Sequence, residues 1–180
     1  MLPYCDYCIQ HPEDTFNSEY HATQYGFPLQ ADSALFERLM FEINQAGLSW
    51  ITILKKADNF RRAYDGFDID RVAGYGEADR VRLLSDPGII RNRLKVNAAI
   101  ENARRIQALR SEFGSFGGWL DAHHPLPKAE WVKLFKKNFV FTGGEIVGEF
   151  LMSVGYLPGA HDPSCPVYAR IDALNPPWRR

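Results

Sequence analysis

The sequence contains few of the features that direct a protein to a membrane or to secretion. No run of about 18 or more apolar residues occurs, so no segment has the length of a membrane-spanning helix. The N-terminal segment MLPYCDYCIQ has neither a basic stretch nor a continuous apolar stretch, and we therefore expect no secretory signal and a cytoplasmic location. The net charge is only −1, which argues mildly against a nucleic-acid-binding protein, because such proteins often carry a basic excess.

Cysteine is also scarce, and its distribution is uneven. The chain has three cysteines, an odd number, so in a reducing compartment we expect metal binding or simple burial rather than disulfides. Cys5 and Cys8 lie near one end of the chain and Cys165 near the other, and the middle has none. Randomly buried cysteines would fall in the middle at least as often, so this distribution indicates a shared task at the two ends.

Apolar residues, in contrast, are abundant and follow the helical period. They make up 46% of the chain, which is enough to form a core. After Asp32 or Ser33, either of which is a candidate helix cap, they recur on one helical face as far as Ile43. The longest helix is predicted for residues 92–113, with Leu94 among its inward-facing residues.

The overall pattern predicts an all-α fold. A further helix is expected at residues 145–155, whereas the best strand candidate, residues 139–141, is short. Residues 1–30 are turn-rich and aromatic, whereas residues 156–180 are rich in proline and we predict that they are irregular. We therefore expect one domain over residues 1–180, with a helical core at about residues 32–155.

Side chains that can bind zinc occur near both ends of the chain. A structural zinc ion needs four thiolate or imidazole ligands, so more candidates are present than the ion can take. Either proposed set fills the coordination sphere, which favours a structural clasp over a catalytic zinc with an open position. The two sets are Cys5, Cys8, His161 and Cys165, which the spacing slightly favours, and Cys8, His21, His161 and Cys165.

Several blocks of the sequence resemble the DNA-3-methyladenine glycosylase I family. The most specific block is QAGLSWITILKK at residues 45–56. Together the blocks span essentially the whole chain, so a chance similarity is improbable. The other blocks are Tyr20-His21, residues 88–93, residues 139–155, and the pair His161 and Cys165.

The resemblance implies a fold, a metal and an activity. The fold is the helix-hairpin-helix type of DNA glycosylase, with the hairpin at residues 139–144. The activity is removal of 3-methyladenine from alkylated double-stranded DNA, with free 3-methyladenine as the product. The family has no lysine nucleophile, which implies a monofunctional enzyme, and we expect it to be a monomer. The resemblance also implies one structural zinc ion. Its implied ligands are Cys8, His21, His161 and Cys165. The gap between Cys8 and His21 matches the gap between the first two ligands of the family, and this match overrides the slight spacing preference for Cys5.

The resemblance also implies how the base is bound. Such an enzyme rotates the damaged nucleotide out of the duplex, and N3-methylation makes the purine cationic. Aromatic walls and a carboxylate suit a cationic base, and Glu42, at the edge of the apolar face, is the implied catalytic carboxylate. The implied base-binding residues are Tyr20, Tyr25 and Trp50, and the implied DNA-contacting residues, between two helices, are Gln45, Gly47 and Leu48. For Trp50 and Leu48 a plain core position is the competing interpretation.

The sequence departs from the family pattern near the implied pocket. The usual block Tyr-His-Asp-x-Glu-Trp-Gly is here YHATQYG, so Ala22 and Gln24 replace two acidic residues and Tyr25 replaces tryptophan. Asn17 occurs where the family has a further pocket aromatic. These changes motivate a second hypothesis, a protein that binds DNA or a free modified base without turnover. A third, a catalytic zinc hydrolase, would require an open coordination site.

Overall fold

The computed structural model describes residues 1–180 and consists of helices joined by turns, without a strand. The all-α prediction is therefore confirmed. No helix combines the length and the apolar character that crossing a membrane would require. The helices are α1 (Pro3–Gln10), α2 (Thr15–Thr23), α3 (Asp32–Gln45), α4 (Trp50–Ala63), α5 (Ile69–Ala73), α6 (Glu77–Leu84), α7 (Arg93–Phe113), α8 (Phe116–His123), α9 (Lys128–Asn138), α10 (Gly144–Ser153) and α11 (Pro166–Asp172), with 3-10 turns at Asp65–Phe67 and Pro177–Arg179.

Helix α3 is the central element of the core. It packs against α4, α7, α8 and α10. Burying a large apolar side chain stabilises a fold by roughly 1.5–3 kcal/mol. Because α3 is enclosed on several sides, the polar residue Glu42 near its C-terminal end is buried as well. The predicted apolar face is at most 1% exposed and comprises Leu35, Phe36, Leu39, Met40 and Ile43.

Asp32 and Ser33 do not cap α3, contrary to the prediction. The helix begins at Asp32, and Ala31 occupies the N-cap position without a side-chain hydrogen bond. The Asp32 carboxylate instead accepts a hydrogen bond of 2.9 Å from the backbone N–H of Phe116, the first residue of α8. It also lies 3.3 Å from the guanidinium of Arg110. Asp32 therefore joins two helices that are distant in sequence.

Helix α7 matches its predicted bounds, but its first turn extends into solvent. The Asn92 side chain accepts a hydrogen bond from the backbone N–H of Lys95 and so caps the helix. Leu94 is 68% exposed, so the prediction that it faces inward is wrong. The reason is that residues 91–94 all lie beyond the helices against which α7 packs, and burial begins only at Lys95.

Helices α9 and α10, with residues 139–143 between them, form the predicted helical hairpin. Asn102 of α7 attaches the hairpin to the core. Its side chain accepts a hydrogen bond of 2.9 Å from the N–H of Val140 and donates one of 3.1 Å to the carbonyl oxygen of Val140. Because Asn102 is fully buried, these bonds are shielded from water and fix the position at which α10 begins.

The two ends of the chain are helical and adjacent, whereas the C-terminal end was predicted to be irregular. Helices α1 and α11 begin with Pro3 and Pro166, and proline is well tolerated at the first helical position, where no N–H is needed. The Arg170 side chain of α11 donates a hydrogen bond of 3.0 Å to the carbonyl oxygen of Ala22, just before α2 ends. The C-terminal segment thus returns to the N-terminal helices.

A buried lysine fixes the turn between α3 and α4. The ammonium group of Lys95, which is 5% exposed, donates hydrogen bonds of 2.7 Å to the carbonyl oxygens of Asn44 and Ala46. These carbonyls lie at the end of α3, where helical partners are missing. Lys95 therefore sets the geometry of residues 46–49, which connect the two helices.

We predict that Lys95→Met, which keeps most of the side-chain volume, lowers the free energy of unfolding by about 2–3 kcal/mol, because two buried carbonyl groups lose a charged donor. Urea denaturation measures this loss. Lys133→Met is the matched control, since Lys133 is exposed and pairs only with Glu130 on its own helix; it should change stability by less than about 0.5 kcal/mol. Equal losses in both variants would contradict the structural role of Lys95.

Candidate functional site

An aromatic cavity of about 280 Å³ opens beside the C-terminal half of α3. Its lining comes from the first fifty residues of the chain and from α10, which is distant in sequence. The structure brings together five of the residues predicted for the site and adds two that the sequence did not suggest, Tyr4 of α1 and Glu149 of α10. The lining residues are Tyr4, Tyr20, Tyr25, Glu42, Gln45, Trp50 and Glu149.

The aromatic walls contact one another through their edges and faces. The Tyr20 ring lies 5.1 Å from Trp50 and 5.7 Å from Tyr25, measured between ring centroids. Tyr4 meets Tyr25 edge-on at 5.6 Å. Behind the wall, the guanidinium of the buried Arg38 lies 5.1 Å from the centroid of the Tyr20 ring. Such packing holds the rings rigid around the cavity.

Asn17 does not line the cavity, although the family pattern has an aromatic residue at this position. Its side-chain oxygen instead accepts a hydrogen bond of 3.1 Å from the hydroxyl of Tyr4. Tyr4 thereby supplies an aromatic ring from α1. The departure at Asn17 is therefore accompanied by a different aromatic wall, which the turn-rich appearance of the N-terminal segment concealed.

Glu42 is the chemically distinctive residue of the cavity. It is 5% exposed, and its carboxyl group has no hydrogen-bond partner within the protein and forms no salt bridge. Burial, followed by the negative charge of Glu149, raises the pKa of Glu42 to about 8, and the nearby Arg38 opposes this shift. The carboxyl is therefore largely protonated at neutral pH. Because this carboxyl faces the cavity and has no donor within the protein, it favours a ligand that brings hydrogen-bond donors of its own.

Glu149 is a second carboxyl in the same cavity. It lies half-buried on α10, and its Oε2 atom accepts a hydrogen bond of 3.2 Å from the hydroxyl of Tyr25. Burial is the main cause that raises its pKa, whereas the hydrogen bond from Tyr25 lowers it. The sequence showed only that position 149 falls between the apolar residues of α10, a pattern typical of a solvent-facing glutamate.

The predicted DNA-contacting residues form the rim of the cavity. Gln45 donates a side-chain hydrogen bond of 2.9 Å to the carbonyl oxygen of Leu48, which closes the turn between α3 and α4. Gly47 adopts a positive φ of 80°, and Leu48 is 39% exposed. A wider groove continues from this turn to Gly143 and Gly144 of the hairpin. Contact of these residues with DNA stays a prediction.

A buried cluster of two thiols and two imidazoles lies behind the cavity. Its members, Cys5, His21, His161 and Cys165, have ligand atoms within 4.8 Å of one another. The Sγ atom of Cys165 lies 3.6 Å from Nε2 of His21 and 3.7 Å from Nδ1 of His161, and Sγ of Cys5 also lies 3.7 Å from that Nδ1. Tetrahedral zinc with ordinary bond lengths would place sulfur and nitrogen ligands about 3.6 Å apart. The donor set and its spacing therefore fit such a metal.

The cluster contains Cys5 where the family resemblance implied Cys8. The Sγ atom of Cys8 lies instead 3.7 Å from the backbone carbonyl oxygen of Asn17. Because both cysteines belong to α1, Cys8 is displaced by about 4.5 Å along the helix axis and cannot occupy the same place. The cluster thus corresponds to neither predicted combination, because it has Cys5 at the place where the resemblance implied Cys8.

The surroundings of the cluster favour neutral imidazole ligands and connect them to the cavity. Burial lowers the pKa of His21 to about 4, and it also lowers the pKa of His161. The Nε2 atom of His161 bonds to the carbonyl oxygen of Tyr25 at 2.7 Å, which leaves Nδ1 directed at the thiols. His21 directly follows Tyr20 in α2. The cluster therefore positions two walls of the cavity.

Comparisons with known proteins agree with these features. Residues 10–130 match the family described as methyladenine glycosylase. The DNA-3-methyladenine glycosylase 1 of Escherichia coli (strain K12) is 46% identical over 92 residues, 51% of this chain and 49% of that protein, so this match spans about half of the relative. The DNA-3-methyladenine glycosylase of Haemophilus influenzae is 31% identical over 173 residues, 86% of this chain and 93% of that protein.

A solved structure is similar over most of its length. It is a crystal structure of a variant of 3-methyladenine DNA glycosylase I in complex with 3-methyladenine, and it covers 89% of this chain and 96% of its own, with 29% identity and a TM-score of 0.81.

We predict that the stability difference between Glu42→Gln and the wild type depends on pH. The Glu42 carboxyl ionises near 4.5 in the unfolded chain but only near 8 in the folded protein. The wild type therefore loses stability as the pH rises from about 4.5 through about 8, because only the unfolded state releases the proton easily. The melting temperature of the variant should equal that of the wild type near pH 4 and exceed it increasingly towards pH 9.

Thermal unfolding followed by circular dichroism at several pH values tests this expectation. Glu145→Gln is the control, because it makes the same substitution on α10 at an exposed position outside the cavity lining. Groups elsewhere titrate in all three proteins, so their effects cancel in the differences. A melting difference for Glu42→Gln that is constant across the pH range would refute a buried, protonated carboxyl.

Proposed function

The chain belongs to the methyladenine glycosylase family, and from this premise we propose that it hydrolyses the N-glycosidic bond of 3-methyladenine in alkylated double-stranded DNA. The observation that carries the proposal is the partnerless carboxyl of Glu42, buried in a cavity with aromatic walls. A cationic base is the ligand that such a cavity suits best, since it offers N–H donors and a charge that replaces the missing partner.

The reaction requires the damaged nucleotide to leave the duplex and enter the cavity. There the rings of Tyr20, Tyr25 and Trp50 pack against the purine, and Glu42 releases its proton to solvent and accepts hydrogen bonds from the edge of the purine. Water adds to C1′ as the C1′–N9 bond breaks. The bonding electron pair stays with the base, which leaves as neutral 3-methyladenine, and the proton that the water loses is released to solvent. The lining contains carboxylates and no lysine, which supports hydrolysis by water rather than attack by an amine.

The rim supports entry of DNA at this side of the molecule. The exposed Leu48, on a turn held by Gln45 and Lys95, suits insertion into the gap that the rotated nucleotide leaves. The first turn of α7 adjoins this rim through Lys95, and the exposed Arg93 in that turn and Arg91 just before the helix are available to the phosphates. Backbone N–H groups at the start of α10 add a further phosphate site. We expect a cytoplasmic monomer to suffice, because one chain contains every element of the site.

The competing function is binding of DNA or free base without turnover. It was motivated by Ala22, Gln24 and Tyr25, but only Tyr25 lines the cavity. The departures at the other two positions therefore leave the cavity wall intact. We favour the enzyme for this reason.

The buried cluster is proposed to hold one structural Zn²⁺ ion through Cys5, His21, His161 and Cys165. Bound there, the ion supplies no open coordination position, so its contribution is folding free energy and not hydrolysis. A catalytic zinc hydrolase is disfavoured by this closed set. The ion would join α1 and α2 to the C-terminal segment and keep Tyr20 and Tyr25 in place.

We predict that the purified protein releases 3-methyladenine from methylated DNA faster than the spontaneous rate, and that Glu42→Gln lowers the rate by about tenfold or more, equivalent to about 1.4 kcal/mol of transition-state stabilisation. Chromatography of the released bases measures the rate of release. Glu130→Gln is the control and should retain the wild-type rate, because Glu130 is exposed on α9. A folded protein that binds the free base but releases none would establish the competing function.

For the metal, we predict about one zinc ion per chain by elemental analysis. Cys5→Ser should lose the ion and lower the melting temperature, because structural zinc contributes directly to folding. Cys8→Ser is the matched variant, three residues away on the same helix, and should keep the ion. Loss of zinc in Cys8→Ser but not in Cys5→Ser would show that the family ligand set applies instead.

A further inference from the structure

Glu149 places a second carboxyl in the base cavity, where neither its helix nor its neighbours require one. It projects from α10, whereas Glu42 projects from α3, and these two helices pack against each other. No lysine, arginine or histidine forms an ion pair with Glu149. Its only protein hydrogen bond comes from the hydroxyl of Tyr25, so the Oε1 atom is left to accept from a ligand.

The arrangement is electrostatically unfavourable unless something positive lies between the two carboxyls. Two protein cations act on the pair from outside the cavity. Lys128 lowers the pKa of Glu149 but forms no ion pair with it, and the buried Arg38 lies behind the Tyr20 ring and donates its hydrogen bond to the carbonyl oxygen of Ser153 rather than to either carboxyl. The negative charge of Glu149 therefore acts on Glu42 across an aromatic cavity, and this repulsion disfavours ionisation of Glu42. A cation in the cavity would convert this repulsion into attraction to both groups.

Tyr25 is the residue that fixes Glu149 in this position. Its backbone carbonyl is bonded to His161 of the buried cluster, and its hydroxyl donates to Oε2 of Glu149 at 3.2 Å. Tyr25 is thus fixed at its backbone carbonyl and at its hydroxyl, and the hydroxyl in turn restricts the position of the Glu149 carboxyl. A tyrosine in place of the tryptophan of the family pattern therefore occurs together with an added acceptor on the facing helix.

We propose that Glu149 is a specificity-determining residue that contacts the extruded base and, together with Glu42, makes the cavity select positively charged purines over neutral purines of the same shape. The inference rests on the proposed function and extends it to a residue outside the predicted site. An exocyclic amino group carries two hydrogens, so carboxyls on two helices can each accept one of them. Tyr25 is a positioning residue for Glu149.

Two small ligands separate charge from shape. The 3,9-dimethyladeninium ion keeps a permanent positive charge, because a methyl group at N9 stands in for the sugar carbon, whereas 9-methyladenine is neutral and nearly the same size. We expect calorimetric titration of the wild type to show tighter binding of the cation. Glu149→Gln should weaken binding of the cation by about tenfold and leave the neutral ligand within about twofold, because one charge–charge attraction is lost while the hydrogen-bond acceptor remains.

Two further variants locate the effect. Glu145→Gln removes the same charge one helical turn earlier on α10. It should change both affinities by less than about twofold, because Glu145 is exposed and does not line the base cavity, so its charge acts on Glu149 only through solvent. Tyr25→Phe keeps the aromatic wall but removes the hydrogen bond that holds the carboxyl of Glu149. Its loss of affinity for the cation should lie between the losses of Glu149→Gln and Glu145→Gln. Tyr25→Phe should also reduce the ratio of cation affinity to neutral-ligand affinity, which a purely structural effect would not do.

The outcomes distinguish this inference from the proposed function. If the wild type excises 3-methyladenine and Glu149→Gln keeps the full preference for the cation, or loses both ligands equally, Glu149 has no role in charge selection and only the inference fails. If the wild type neither excises the base nor prefers the cation, both fail. Reduced preference for the cation in Glu149→Gln, with Glu145→Gln unchanged, supports the proposal.

Discussion

The constraint on which the site depends is the burial of a carboxyl group that the protein itself does not satisfy. Glu42 is part of the central helix and is almost fully enclosed, yet no donor in the chain reaches it. Isolated burial of this kind costs free energy, and the fold must offset that cost through the apolar face of α3. The carboxyl is thereby kept ready for a ligand that brings its own donors and its own charge. Removing water from such a group is also what makes its interaction with a cation strong.

The rest of the structure keeps that cavity in shape from outside. The aromatic walls come from the N-terminal part of the chain, which is short and has little core of its own. They are held by the buried thiol and imidazole cluster, through the bond from His161 to the carbonyl oxygen of Tyr25 and through His21 next to Tyr20. On the other side Lys95 fixes the end of α3 and the rim. The cavity therefore lies where three separate parts of the chain meet. Small shifts of the buried thiol and imidazole cluster would for this reason displace the rings of Tyr20 and Tyr25 directly.

How much of this could be predicted from the sequence depends on how local the determining interactions are. Helices α3 and α7 follow from the apolar periodicity within each segment. The hairpin follows from the family resemblance, and Glu42 follows from its place beside the apolar face together with that resemblance. Helices α1 and α11 were missed because a proline at the first helical position resembles a break. Cys5 and Cys8 could not be separated by spacing, since the choice depends on how α1 is oriented against the C-terminal segment. Glu149 was missed because its partner, Tyr25, is distant in sequence.

The distribution of charge resolves an apparent conflict between an acidic cavity and a polyanionic partner. Carboxylates repel phosphates, and the chain has no basic excess to compensate. The conflict is reduced because Glu42 is recessed and protonated in the absence of a cation, so most of its charge exists only once a positive base lies beside it. In the proposed function the phosphates are met at the rim, by backbone N–H groups at the hairpin, by Arg93 in the exposed first turn of α7 and by Arg91 just before that helix. The two proposals thus assign charge selection and DNA binding to different depths of the same opening, so a nearly neutral protein is compatible with both.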